Sequence, residues 1–283
     1  MTDHELRRSV EAWRAQRHAA LRRPMSWLSL VGLDWLHDGT NVIGSGPEAA
    51  VRLARGPALA GEIDLRDGGA YATSAVNGAL LHAGEPVHQL PLVADADATD
   101  DLPPTTLEVE DLRLRLIRRG NHGERFAIRT WDTTAQSLRA FEGIDHWQVD
   151  PAWAVRARFD PSPPGTTIPV PDVLGETIDT PSPGTLHFDV GGVPCQLTAL
   201  EGGDHGELWL IFADATNGAE TYGAGRFLYT DAPGTGGTVI VDFNRAYNPP
   251  CVFSPFATCP LPPPGNRLNV RIEAGERDFH PAN

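Results

Sequence analysis

The residues able to do chemistry are crowded into the last third of this chain. Asp214, Glu220 and Asp242 supply carboxylates, and Arg226, Arg245 and Arg267 supply guanidinium groups. Asn244, Asn248 and Asn266 add amides, and Tyr222 and Tyr247 add phenols. Such a set can hold an anionic or polyhydroxylated small molecule. Arginine forks onto a carboxylate or phosphate, and asparagine and tyrosine orient it. The candidate ligand-binding residues are Asp214, Glu220, Tyr222, Arg226, Asp242, Asn244, Arg245, Tyr247, Asn248 and Arg267. Two of the acids could work as a hydrolase-like acid/base pair if burial separated their pKa values. No single residue is assigned as catalytic, and whether the protein is an enzyme stays open.

The same residues also fit a purely structural role. Positions 249 to 264 contain seven prolines. Proline lacks the amide donor, so this segment must run as an extended wrap rather than a ladder or helix. Backbone carbonyls left bare by such a wrap need Asn, Arg and Tyr side chains, and Asp–Arg pairs neutralise each other. On this reading the chain is a non-enzymatic β interaction module. The strand 238–243 alternates, with Val239, Val241 and Phe243 on one face. Asp242 then falls on the other face, beside the loop of Arg245. A fully buried pair there would cost roughly 3–5 kcal/mol to break.

Composition narrows the classes. Net charge is −14 with a pI near 5.0, so no basic footprint for nucleic acid or an anionic membrane is visible. All 23 basic residues are arginine. Without lysine there is no Schiff base, no Walker phosphate loop, no lysine-dependent kinase site and no Ser–Lys pair. Neither H-E-x-x-H nor G-x-S-x-G occurs. The acidic run 95–101 lacks the glycine and the final glutamate of a calcium loop and reads as solvated. Cys195, Cys251 and Cys259 form no C-x-x-C pair. They read as free, buried apolar thiols that bind no metal and form no obligatory disulfide. The expectations are no cofactor, a small-molecule ligand, and no nucleic-acid or membrane partner, with oligomeric state open. The acidic N-terminus is not a signal peptide, and no apolar run spans a bilayer, so the expected location is the cytoplasm.

The elements that must position these groups are mostly strands. The 29 glycines and 25 prolines mark many turns. One helix is expected over 3–23, capped by Asp3 and ended by Pro24, with Leu6, Val10, Trp13 and Arg17 on one face. From Trp27 onward, short alternating runs are separated by Gly68-Gly69, Asn77-Gly78 and Asn121-His122-Gly123. Later strands are expected near 154–159, 185–190, 196–200, 207–212, 226–230, 238–243 and 268–272. The fold class is mainly β, built from antiparallel β-sandwich domains with one N-terminal helix. The divisions expected are the helix at 1–25, an antiparallel β domain at 26–135, and a second β domain with the proline-rich wrap at 136–283.

Two resemblances add to this. Phe243-Asn244-Arg245-Ala246-Tyr247-Asn248-Pro249-Pro250-Cys251, with Cys259-Pro260-Leu261-Pro262-Pro263-Pro264 and Asn266-Arg267-Leu268, resembles the signature of the bacterial domain-of-unknown-function family sixteen eighty-four. Residues 27–33 and 220–228 match it too. The resemblance implies a mainly β protein of immunoglobulin-like or sandwich character and carries no activity. In the N-terminal half, Gly39, Ile43-Gly44-Ser45 and Asn77-Gly78 are faintly similar to forkhead-associated domains, which bind phosphothreonine. Ser45 stands where that family has a phosphate-binding arginine, and its Ser-Arg-x-x-His segment is absent.

Overall fold

Helix α1 (Asp3–Leu21) is amphipathic, with Leu6 and Val10 buried against Val149 and Ala154. The computed structural model describes residues 2–76, 78–120 and 123–280, and the turns expected at Asn77 and at Asn121-His122 fall outside them. The chain divides into two compact units. One comprises 1–20, 142–253 and 258–283, and the other 21–141 and 254–257.

The unit made mainly of 21–141 holds two sheets. The first contains β1 (Leu30–Trp35), β6 (Leu81–His82), β7 (Glu85–Pro86), β9 (Thr106–Val109), β10 (Leu112–Arg119) and β11 (Arg125–Asp132), in the order β1-β11-β10-β9-β6-β7. The second contains β2 (Gly39–Gly44), β3 (Val51–Arg52), β4 (Gly61–Arg66), β5 (Gly69–Ser74) and β8 (Leu90–Pro91), in the order β3-β2-β4-β5-β8. Among the described residues of these two sheets, the short β2–β3 pairing is the parallel one. Strand alternation sends Leu107 and Val109 with Leu112, Leu114 and Leu116 to one side. They meet Ile43, Ile63 and Ala72 of the other sheet in a single core, a sandwich-like arrangement. The β4–β5 hairpin turns through Asp67 and Gly68, both at positive φ, the geometry that matches strand twist. In the acidic run, Asp95 pairs with Arg119 and Asp97 with Arg118 of β10, while Asp100 and Asp101 are exposed. A four-residue turn of helix, α2 (Gln136–Arg139), follows.

The unit that carries the polar block is built on one antiparallel sheet. It comprises β12 (Ala154–Pro161), β15 (Gly184–Val190), β16 (Val193–Glu201), β17 (Leu208–Phe212), β18 (Arg226–Thr230) and β19 (Thr238–Asp242). The order is β18-β17-β16-β15-β12-β19. The two edges are tied, because Phe227 of β18 exchanges backbone hydrogen bonds with Tyr247, just beyond β19. Inside the curl lie Leu186, Leu197, Leu210, Phe212, Val241 and Phe243. As the alternation requires, Val239, Val241 and Phe243 are buried while Ile240 is 46% exposed. A separate hairpin, β13 (Thr167–Pro171) and β14 (Thr177–Pro181), interrupts the sheet order. Its three prolines hide it from a strand reading.

The strand expected at 268–272 does not form. Its backbone groups are taken locally. Leu268 N–H bonds Ala213 O, Ala215 N–H bonds Val270 O, and Ile272 N–H bonds the Asp214 carboxylate. The wrap at 249–264 forms no strand ladder among the described residues, as its prolines demand. The helix content beyond α1 is short turns. The protein is mainly β, with several antiparallel sheets and one N-terminal helix.

Candidate functional site

At the centre of the polar block sits a buried ion pair. Arg226, the first residue of β18, and Asp214, just after β17, both have side chains with no exposure. Arg226 Nη2 donates to Asp214 Oδ2 at 2.7 Å and to Ile272 O at 2.9 Å, and Nη1 donates to Ala274 O. Asp214 Oδ1 accepts from Thr216 N, Thr216 Oγ1 and Ile272 N. Burial pushes the Arg226 pKa down, and Asp214 pulls it back up. The pair thus fixes the turn 214–222 and the strand-less segment 272–276 in one knot.

A second knot joins helix α1 to the C-terminal segment. Glu276 is fully buried. Arg17 forks onto it through Nε and Nη2, and Asn248 N–H bonds it at 2.7 Å. The Arg17 guanidinium also donates to Asn248 O and lies 4.5 Å over the Tyr247 ring. Burial raises the Tyr247 pKa, so its hydroxyl keeps its proton. Asn248 Nδ2 donates to Arg277 O, and Asn244 grips Asp150 through N–H and C=O.

The Asp242–Arg245 pair is present but is not the buried one. Its side chains are 14% and 31% exposed, at a distance of 3.3 Å. Asp242 caps the turn Phe243–Arg245 by accepting from Asn244 N and Nδ2, and Arg245 also donates to Ser9 Oγ. Glu220 is held by Arg271 on the surface. The three carboxylates therefore each have their own arginine. Among the described residues, the contacts of Asp214, Glu220 and Asp242 set no two of them side by side as an acid/base pair.

Arg267 differs from the other candidate arginines. It is exposed and, among the described residues, has no carboxylate or carbonyl partner for its side chain. Its backbone is pegged by neighbouring Asn266, which is buried and bonds Thr198 N and O and Ile211 O. Arg267 opens onto a recess of about 440 Å³. Pro171, Ala224 and the run 261–265 line the rest of it. The hairpin supports this wall, since Leu261 N–H bonds Pro171 O at 2.7 Å and Val173 N–H bonds Cys259 O at 3.0 Å. Gly225 lets the wrap lie close. A Cβ there would sit 2.6 Å from Phe212 O and 2.8 Å from Pro262 Cγ, and its φ is +103°.

Tyr222 faces a different neighbourhood, the two cysteines of the wrap. Cys251 N–H donates to Cys259 Sγ at 3.0 Å. The Cys259 thiol and the Tyr222 hydroxyl bond the Cys251 sulfur and bring its pKa down to about 7, against a smaller upward push from burial. Tyr222 is pushed up by burial and by this contact. None of the three cysteines is in a disulfide. For Cys251 this departs from an inert apolar thiol, because a tyrosine 29 residues earlier in the chain cannot be paired with it before the fold is known.

Arg17, His146 and Glu276 lie outside the candidate ligand-binding residues. Arg17 had a signal, since it continues the Leu6, Val10, Trp13 face of the helix. His146 had none. Burial first, then Arg14 and His18, push it down to about 3, and its Nε2 is buried without a partner. Among the described residues no cluster of three or more His, Cys, Asp or Glu could hold a metal, and no helix is long and apolar enough to cross a membrane.

Comparison with known proteins bears on family rather than activity. The model of the family described as "Protein of unknown function (DUF1684)" matches residues 139–277. No curated protein matches the chain. Among solved structures, the solution NMR structure of an uncharacterized protein of Haloarcula marismortui is 31% identical. The match covers 48% of this chain and 77% of that one, with a TM-score of 0.41. The chain belongs to the DUF1684 family of proteins of unknown function.

Proposed function

We propose that the C-terminal unit binds a small molecule with one anionic group and an apolar body, in the recess beneath the proline wrap. The observation that carries this reading is Arg267: a guanidinium with no partner among the described residues, on a pegged backbone, at the mouth of an apolar recess. A volume of about 440 Å³ lies within the range of small-molecule sites, roughly 300–1,000 Å³. Arginine supplies the forked donor for a carboxylate or phosphate, and the proline walls are rigid before the ligand arrives.

The remaining candidates act as the frame. Asp214 and Arg226 neutralise each other, Asn244 and Asn248 hold backbone, and Asp242 caps a turn. That supports binding over hydrolysis, because the carboxylates are engaged by arginines. It also disfavours a polyhydroxylated ligand, since the amides that would orient hydroxyls are committed elsewhere. The test is a thermal-shift titration with benzoate and hexanoate, using benzamide and hexanamide as neutral controls. A ligand at a hundred times its Kd adds about 2.7 kcal/mol of stability. The acids are expected to raise Tm in the parent and not in Arg267→Ala, whose own Tm should match the parent. Equal shifts by the amides, or shifts that survive Arg267→Ala, would overturn the proposal.

A further inference from the structure

The two thiols of the wrap go beyond that reading and do not depend on it. Cys251 lies in the turn Pro250–Val252 and is partly exposed, whereas Cys259 is 2% exposed. The sulfur of Cys259 stands 3.0 Å from the backbone nitrogen of Cys251. A cysteine sulfur hangs one carbon from its own backbone. That contact makes the two cysteines neighbours in space, the first condition for a disulfide. Tyr222 adds to the cluster, its hydroxyl favouring the thiolate form of Cys251. The arrangement has a reactive, partly exposed sulfur, a donor that stabilises its thiolate, and a shielded second thiol within reach. Redox-sensing cysteines are of this kind.

We propose that Cys251 is a hydroperoxide-reactive thiol, that Cys259 resolves it, and that Tyr222 positions and stabilises its thiolate. In the first step the Cys251 thiolate attacks one oxygen of the hydroperoxide. The S–O bond forms, the O–O bond breaks, and the departing oxygen takes a proton to leave as water or an alcohol. Sulfur is oxidised to sulfenic acid as the peroxide is reduced. In the second step the Cys259 sulfur attacks the Cys251 sulfur. The S–S bond forms, and hydroxide leaves with the Cys259 proton as water. A dithiol reductant returns both thiols. Cys195 is a built-in control, because burial first and then Asp189 raise its pKa and no second cysteine stands beside it among its contacts.

The experiment uses the full chain and hydrogen peroxide. Mass spectrometry of the parent should show the loss of two hydrogens, mapped to a Cys251–Cys259 disulfide and reversed by dithiothreitol. Iodoacetamide should label Cys251 with a midpoint near pH 7, and about tenfold faster than Cys195 at that pH. Cys259→Ser should leave a sulfenic acid at Cys251 that dimedone traps, and Tyr222→Phe should move the labelling midpoint upward. Circular dichroism confirms that each variant is folded. The parent measurements stand alone if one is not. Equal labelling of Cys195 and Cys251, or oxidation to sulfinic acid without any disulfide, would overturn the proposal.

Discussion

Breaking the Asp214–Arg226 pair is the sharpest test of what organises the C-terminal unit. Neither side chain has any exposure. In Asp214→Ala, the guanidinium stays buried among the carbonyls of Ile272, Ala274 and Glu276, with no anion to offset it. Thr216 N, Thr216 Oγ1 and Ile272 N lose their acceptor as well. Removing one partner of a buried pair costs about 3–5 kcal/mol. For a unit of this size that is a drop in Tm of roughly 6–20 °C. Arg226→Met strands the carboxylate instead and should cost a similar amount. The double variant Asp214→Leu with Arg226→Met buries no unpaired charge, so its loss should be well under the sum of the two. Differential scanning calorimetry reads the shift, and amide exchange at Thr216 and Ile272 reads the local opening. If Asp214→Ala melts within about 2 °C of the parent, the pair is not the organising contact and the reasoning fails.

Asp242→Ala removes a partly exposed pair and a cap, and should cost only about 1–2 kcal/mol by urea denaturation. Gly275→Ala places a Cβ 2.3 Å from Ala246 O at a φ of +80° and should cost on the order of 3 kcal/mol. Gly265→Ala, at φ +90° in open space, should cost about 1 kcal/mol, so equal losses would refute the steric account. His146 takes up its proton near pH 6.5 when unfolded but near 3 when folded. Below pH 6.5 the unfolded chain binds more protons, so this residue's contribution is intact above 6.5 and declines as pH falls toward 3. His146→Gln should flatten that part of the stability–pH curve, and an unchanged slope would count against the burial of the ring.

The parts of the fold legible in advance were those set by local periodicity. The helix face of Leu6, Val10 and Trp13, the alternation of Leu112, Leu114 and Leu116, and the Asp67–Gly68 turn each follow from a rule that acts within a few residues. The misses have a shared physical cause. At 268–272 an alternating run finds no ladder because its amides and carbonyls go to Asp214, Arg226 and the 213–215 segment. At β13 and β14 the prolines that argue against strands sit in an isolated two-stranded hairpin, where a missing donor on the outer side costs little. Both outcomes depend on partners distant in sequence.

The same distinction runs through the site. The buried pair, the cap at Asp242 and the recess at Arg267 all lie in the polar block that the residue types mark out. Which arginine meets which acid was not legible, because near neighbours in sequence are not the decisive contacts. Asp242 and Arg245 are three residues apart and end up partly wet. Arg226 reaches back twelve residues to Asp214 and forward to Ile272 and Ala274. Arg17 meets Glu276 across nearly the whole chain. A polar residue on an otherwise apolar helix face is the visible trace of such a contact, and Arg17 is that residue. Burial converts a list of charges into roles: a charge with a partner in the dry interior holds the fold, whereas Arg267, exposed at a recess with no partner among the described residues, holds nothing, and for that reason it is the one we propose for a ligand.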